Sequence, residues 1–72
     1  MKLYTKTVCP KCLWAKDSIK RNNLNVEEIN IDIDEEAKQL LMSKGFMSLP
    51  VLMVDGEFYA NNEVMEKLED LA

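Results

Sequence analysis

The chain contains no histidine and only two cysteines, two glycines and two prolines in its 72 residues. Without a histidine or a second cysteine pair, it does not supply the four ligands of a closed mononuclear zinc site. Two chains sharing a metal or an iron–sulfur cluster through a cysteine stay open as an alternative. Cys9 and Cys12 also make a poor covalent staple. Closing so short a loop removes about 2 kcal/mol of unfolded-chain entropy, against roughly 3 kcal/mol for a 15-residue loop. No repeat or low-complexity tract is present. No apolar run is long enough to cross a bilayer, and Met1-Lys2-Leu3-Tyr4-Thr5-Lys6 lacks the apolar stretch and small-residue cleavage site of a signal peptide. A cytoplasmic location without a membrane partner is therefore expected. No basic stripe interleaved with aromatics is present either, which argues against nucleic acid.

What is there is the composition of a folded protein, 47% hydrophobic and 31% charged, read as one domain over residues 1–72 and as a monomer. A chain of this length buries only about 60% of the surface its unfolded form exposes. Its Ile, Leu, Val and Met side chains must then supply the stability that the cysteines do not. In a reducing compartment a lone close pair reads as catalytic or metal-binding before it reads as structural. The net charge of −4 is unevenly spread. Residues 1–21 carry six basic residues against Asp17 alone, a surplus of five positive charges, and the remainder carries three against twelve, a surplus of nine negative charges. Both cysteines lie in the basic segment.

Hydrophobic periodicity and turn residues predict the order βαβαββα. The first strand covers residues 2–5. Pro10 suits the first position of a helix and pushes Cys9 out of the α region into a cap-like conformation. Cys12, Ala15 and Ile19 form the core stripe of that helix, which runs to about Arg21 and ends at Asn22-Asn23. Val26–Ile33 reads as a second strand, with Ile29, Ile31 and Ile33 on one face. Asp34 caps the next helix, Glu35 and Glu36 fill its first turn and Lys44 its last, and Gly45 stops it with Phe46 placed against Leu41. Residues 51–54 and 57–60 flank the hairpin dipeptide Asp55-Gly56. Asn61 or Asn62 caps a last helix striped by Val64, Leu68 and Leu71. The expected architecture is α/β, one mixed sheet covered by helices, with Cys9 at the carboxyl end of a strand.

A Cys-x-x-Cys pair that follows a strand and opens a helix is a redox signature. One thiol attacks a substrate disulfide, and the second must reach the mixed disulfide from one turn away. Cys9 is the expected attacker, because free backbone N–H groups at the helix start, with Lys6 and Lys11, favour its thiolate. Cys12, on the core stripe, is the expected resolver. Trp14 falls away from that stripe and has two readings: a ring lying along the helix surface, or a partner-docking residue. Met47 is a candidate for lining the substrate groove.

Tyr4-Thr5-Lys6-Thr7-Val8-Cys9-Pro10-Lys11-Cys12 resembles the active-site stretch of glutaredoxins, and Ser48-Leu49-Pro50 resembles their Thr-Val-Pro segment. The resemblance implies a thioredoxin-like fold with a four-stranded mixed sheet and three helices, a dithiol mechanism and no tightly bound cofactor. It further implies a cis bond before Pro50 and a Leu49 backbone that pairs with an extended substrate. Lys6 matches the family's basic residue that meets a glutathione carboxylate. Asn62 and Glu63 fall where the family holds the γ-glutamyl end, with Glu63 opposite the substrate ammonium. There the chain has Ala60-Asn61-Asn62-Glu63 in place of Gly-Gly, and it has Lys11 in place of an aromatic. In size it also resembles NrdH-redoxins, which take electrons from thioredoxin reductase and deliver them to ribonucleotide reductase. Disulfide-containing proteins are the implied substrates. Glutathione or thioredoxin reductase is the implied electron source.

Overall fold

The chain is described here by a computed structural model covering residues 1–46, 48–60 and 62–71. Met47, Asn61 and Ala72 lie outside the described residues, and with them the expected roles of Met47 in the groove and Asn61 as a cap.

Strand β1 (Lys2–Thr5) is the organising element. Its alternation sends Leu3 to one face of the sheet and Tyr4 to the other, and both are buried. Helix α1 (Pro10–Arg21) carries the chain over one face to β2 (Glu27–Asn30), which pairs parallel to β1 with Tyr4 opposite Ile29. Helix α2 (Glu35–Ser43) covers the opposite face, and β3 (Val51–Val54) then pairs antiparallel to β1 on its other side, with Leu3 opposite Leu52. A tight hairpin leads to β4 (Glu57–Ala60), and α3 (Asn62–Leu71) returns to the α1 face. The four-stranded mixed sheet has the order β2-β1-β3-β4.

Period-two alternation in β1 and β3 divides the core in two. Leu3, Leu52 and Val54 meet Ala15 of α1 and Val64 and Leu68 of α3. Tyr4 and Val51 meet Ala37 and Leu41 of α2, with Phe46 and Phe58 beside them. Asp34 caps α2 as expected, its carboxylate accepting the Ala37 N–H at 3.1 Å. The end of α2 is a Schellman stop: Phe46 N–H donates to the Leu41 carbonyl at 2.9 Å, Gly45 N–H to that of Met42 at 3.0 Å, and Gly45 has φ +84°. The Asp55-Gly56 turn has φ +50° and +83°, the left-handed pair of a type I′ hairpin.

Two expectations need correction. Lys44 caps α2 one residue past its last turn, and its ammonium lies 4.9 Å from the centre of the Phe58 ring. The second strand is shorter than residues 26–33, because Asn30 ends it. The Asn30 side-chain oxygen accepts the Asp32 N–H at 2.9 Å and its carbonyl accepts Ile33 and Asp34, so the chain turns. Ile31 still joins the core, but Ile33 is 83% exposed.

Candidate active site

The loop after β1 delivers Cys9 to the N-cap of α1. Pro10 at the first helical position fixes the entry, and Cys9 takes the extended conformation φ −154°, ψ 97°. Its Sγ accepts the Cys12 backbone N–H at 3.1 Å, the bond a capping oxygen makes in an ordinary helix. The same sulfur is joined to Cys12 in a disulfide, with Cα atoms 5.2 Å apart. Cys12 is 1% exposed under α1, whereas Cys9, at 9%, reaches the surface at one edge. Of the two, Cys9 is the one that lines a surface groove.

Opposite the sulfurs, the Leu49–Pro50 bond is cis, and the Leu49 carbonyl oxygen lies 3.8 Å from Cys9 Sγ. Lys6, Val8, Pro10, Lys11, Ser48 and Leu49 enclose a groove of about 370 Å³ around Cys9. It holds two ammonium groups and no carboxylate. Among the described residues neither Lys6 nor Lys11 is in an ion pair. An anionic ligand or a developing thiolate in this groove meets the positive charge of Lys6 and Lys11, reinforced by the N-terminus of α1.

Two further grooves flank it. Lys6 and Leu49 continue into one lined by Ile31, Asp32, Lys38 and Phe46. Lys11 continues into a smaller one lined by Trp14, Pro50, Asn62, Val64 and Met65. The residues singled out from sequence thus converge: Lys6, Lys11 and Leu49 line the cysteine groove, and Pro50 and Asn62 line its neighbour. Glu63 does not join them. It lines a separate depression with Tyr59, Glu66, Lys67 and Asp70. Among the described residues, no group of three or more His, Cys, Asp or Glu side chains is placed to hold a metal ion. No helix among them is long and apolar enough to cross a membrane.

One supporting residue escaped the sequence. Asp32 accepts the Thr7 backbone N–H at 2.9 Å, while the Asn30 amide donates to the Thr7 hydroxyl at 3.4 Å. These bonds tether the Lys6–Val8 approach to Cys9 onto the segment after β2. The Thr7 backbone bond, then the Thr7 hydroxyl, hold the Asp32 carboxyl below the usual carboxylate range, with Lys38 and Lys6 adding to the effect. Asn30 and Asp32, two turn-forming residues within an otherwise alternating stretch, were the available signal.

The sheet order, the cysteine cap and the cis-proline segment facing it together define a thioredoxin-like protein. Whole-chain comparison gives the same class. The structure of the NrdH-redoxin from Escherichia coli, described for its thioredoxin-like activity profile, superposes with a TM-score of 0.87 at 25% identity, covering 99% of this chain and 92% of that one. The thioredoxin-like protein BC3987 superposes at 0.83 and 35% identity, covering 99% and 97%. The sequence profile of the glutaredoxin family matches residues 1–59, and the chain belongs to that family. Among its relatives, a probable glutaredoxin from Synechocystis sp. is 32% identical over 59 residues, 79% of this chain and 67% of the relative. The glutaredoxin-like protein NrdH of Salmonella typhimurium is 31% identical over 51 residues, 71% of this chain and 63% of NrdH. The matched segment therefore spans about two thirds of these relatives.

Proposed function

We propose that the chain is a dithiol–disulfide oxidoreductase that reduces protein disulfides. The observation that carries this reading is Cys9 Sγ at the open cap of α1, 3.1 Å from the Cys12 N–H, with Cys12 buried one turn behind it. In the reduced protein the Cys9 thiolate attacks one substrate sulfur. A Cys9–substrate disulfide forms, the substrate S–S bond breaks, and the departing thiolate takes up a proton. Cys12, having lost its proton, then attacks Cys9 Sγ. The Cys9–Cys12 bond forms, and the second substrate thiolate leaves and is protonated. Two electrons pass from the dithiol to the substrate. Lys6 and Lys11 favour the thiolate, and Leu49 presents its backbone to an extended substrate.

For the return of electrons, the groove beside Lys11 favours thioredoxin reductase over glutathione. Glu63, which the family resemblance sets opposite the ammonium of the γ-glutamyl group, lies in another depression, and the groove that Lys11 and Asn62 line is otherwise walled by Trp14, Pro50, Val64 and Met65. An apolar wall does not replace the hydration of an ammonium and a carboxylate. Similarity to the glutaredoxin-like protein NrdH supports this reading, and ribonucleotide reductase is the acceptor that the resemblance to NrdH-redoxins implies. The test is to supply the oxidised protein with NADPH and thioredoxin reductase, or with NADPH, glutathione and glutathione reductase. The first couple should support the faster NADPH oxidation in an insulin-reduction assay. Faster turnover with glutathione would reverse the choice, and no turnover with either would remove the oxidoreductase reading.

A further inference from the structure

Trp14 is the protein's only tryptophan, and it is 67% exposed on α1 within two residues of Cys12. A solitary exposed aromatic needs no explanation. This one, however, lines a pocket together with Pro50, Val64 and Met65 and the polar residues Lys11 and Asn62. The pocket's volume is about 90 Å³. That is the scale of a single side chain.

The pocket is continuous with the reactive groove. Lys11 lines both, and Pro50 directly follows Leu49, whose carbonyl oxygen lies 3.8 Å from Cys9 Sγ. An extended segment laid across Leu49 advances about 3.3 Å per residue. A substrate segment lying along Leu49-Pro50 passes from the cysteine groove to the pocket. Val8, 79% exposed, adds apolar surface to the cysteine groove. The charge on this path is of one sign, Lys6 and Lys11 with no carboxylate lining the cysteine groove. We propose that Trp14, Lys11, Pro50 and Met65 form a specificity pocket that takes an aliphatic side chain beside the reactive cysteine of an acidic protein segment.

This inference rests on the oxidoreductase reading, and the test separates the two. Pairs of peptides carrying a fluorophore and a quencher are joined by a disulfide, with each cysteine flanked by Leu and Glu, by Gly and Glu, or by Leu and Lys, in both orders. Each is mixed with fully reduced protein free of other reductants, with hydroxyethyl disulfide as a small reference substrate. The wild type should react with the better Leu–Glu peptide about tenfold faster than with its Gly–Glu counterpart, the scale of one anchored interface side chain. It should react more slowly with the Leu–Lys peptide, and added salt should narrow that gap. Trp14→Ala should reduce the Leu-over-Gly preference to within about twofold, and Trp14→Phe should retain part of it. Equal rates with Leu and Gly peptides, or a preference that survives in Trp14→Ala, would overturn the pocket. A wild type inert toward every peptide and toward hydroxyethyl disulfide would overturn the oxidoreductase reading itself.

Discussion

Reducing the Cys9–Cys12 bond should leave the protein folded. The bond closes a loop of sequence separation 3, so the unfolded-chain entropy it removes amounts to about 2 kcal/mol at most. A domain of this length is expected to hold about 4–11 kcal/mol in all, at about 0.05–0.15 kcal/mol per residue. Reduction also leaves the N-cap in place, because the Cys9 sulfur can keep accepting the Cys12 N–H. Neither cysteine belongs to the two clusters that make up the halves of the core, around Leu52 and Leu68 on one face and Tyr4 and Leu41 on the other. Urea titrations of the oxidised and reduced protein, followed by far-UV circular dichroism, measure the difference. With an m-value of about 1 kcal/mol per molar, the midpoint should fall by no more than about 2 M, with both forms folded in buffer. A reduced protein that is unfolded without urea, or that loses much more than this, would make the disulfide a staple and refute the reasoning.

Leu68→Ala should cost far more than opening the disulfide, about 2–5 kcal/mol, because Leu68 is fully buried between Leu52, Val64 and Ala15; thermal denaturation will show it as a large drop in Tm. Gly45→Ala should destabilise by about 1–2 kcal/mol through backbone strain alone, since φ is +84° while nothing lies within 4 Å of the added carbon; urea titration checks this. The Asp32 carboxyl titrates lower in the folded protein than in the unfolded chain, so the tether it makes to Thr7 is fully present above the unfolded value and lost as pH falls through the folded value. In an NMR pH titration the Thr7 amide should follow Asp32 and report a midpoint below the usual carboxylate range. A Thr7 amide insensitive to pH there would break the link.

Much of the site was legible because its parts are local. Cys9-Pro10 specifies a cap followed by a first helical turn, and Cys12 falls on the core stripe by helical spacing alone. Gly45 and Asp55-Gly56 mark their stops with positive φ, which few other residues tolerate. The failures came where side chains compete with the ladder or where distant segments meet. Asn30 turns the chain against the alternation of Ile29, Ile31 and Ile33, and the Asp32–Thr7 bond spans 25 residues. The grooves are likewise non-local: Trp14 shares one with Pro50 and Met65 because β3 pairs beside β1 and α3 returns to the α1 face. The family resemblance placed Leu49 and Pro50 beside the cysteines before any strand pairing was known. It set Glu63 opposite a substrate ammonium, and the path of α3 takes that residue to a separate depression.

The two sulfurs should have unequal roles, with Cys9, 9% exposed at its groove, as attacker and Cys12, 1% exposed behind it, as resolver. Mass spectrometry of single-cysteine variants after reaction with a disulfide peptide tests it most directly. Cys12→Ser should accumulate one stable peptide adduct on Cys9, while Cys9→Ser should form none in the same time. An adduct on Cys12 of Cys9→Ser, formed as fast as the one on Cys9, would contradict the assignment.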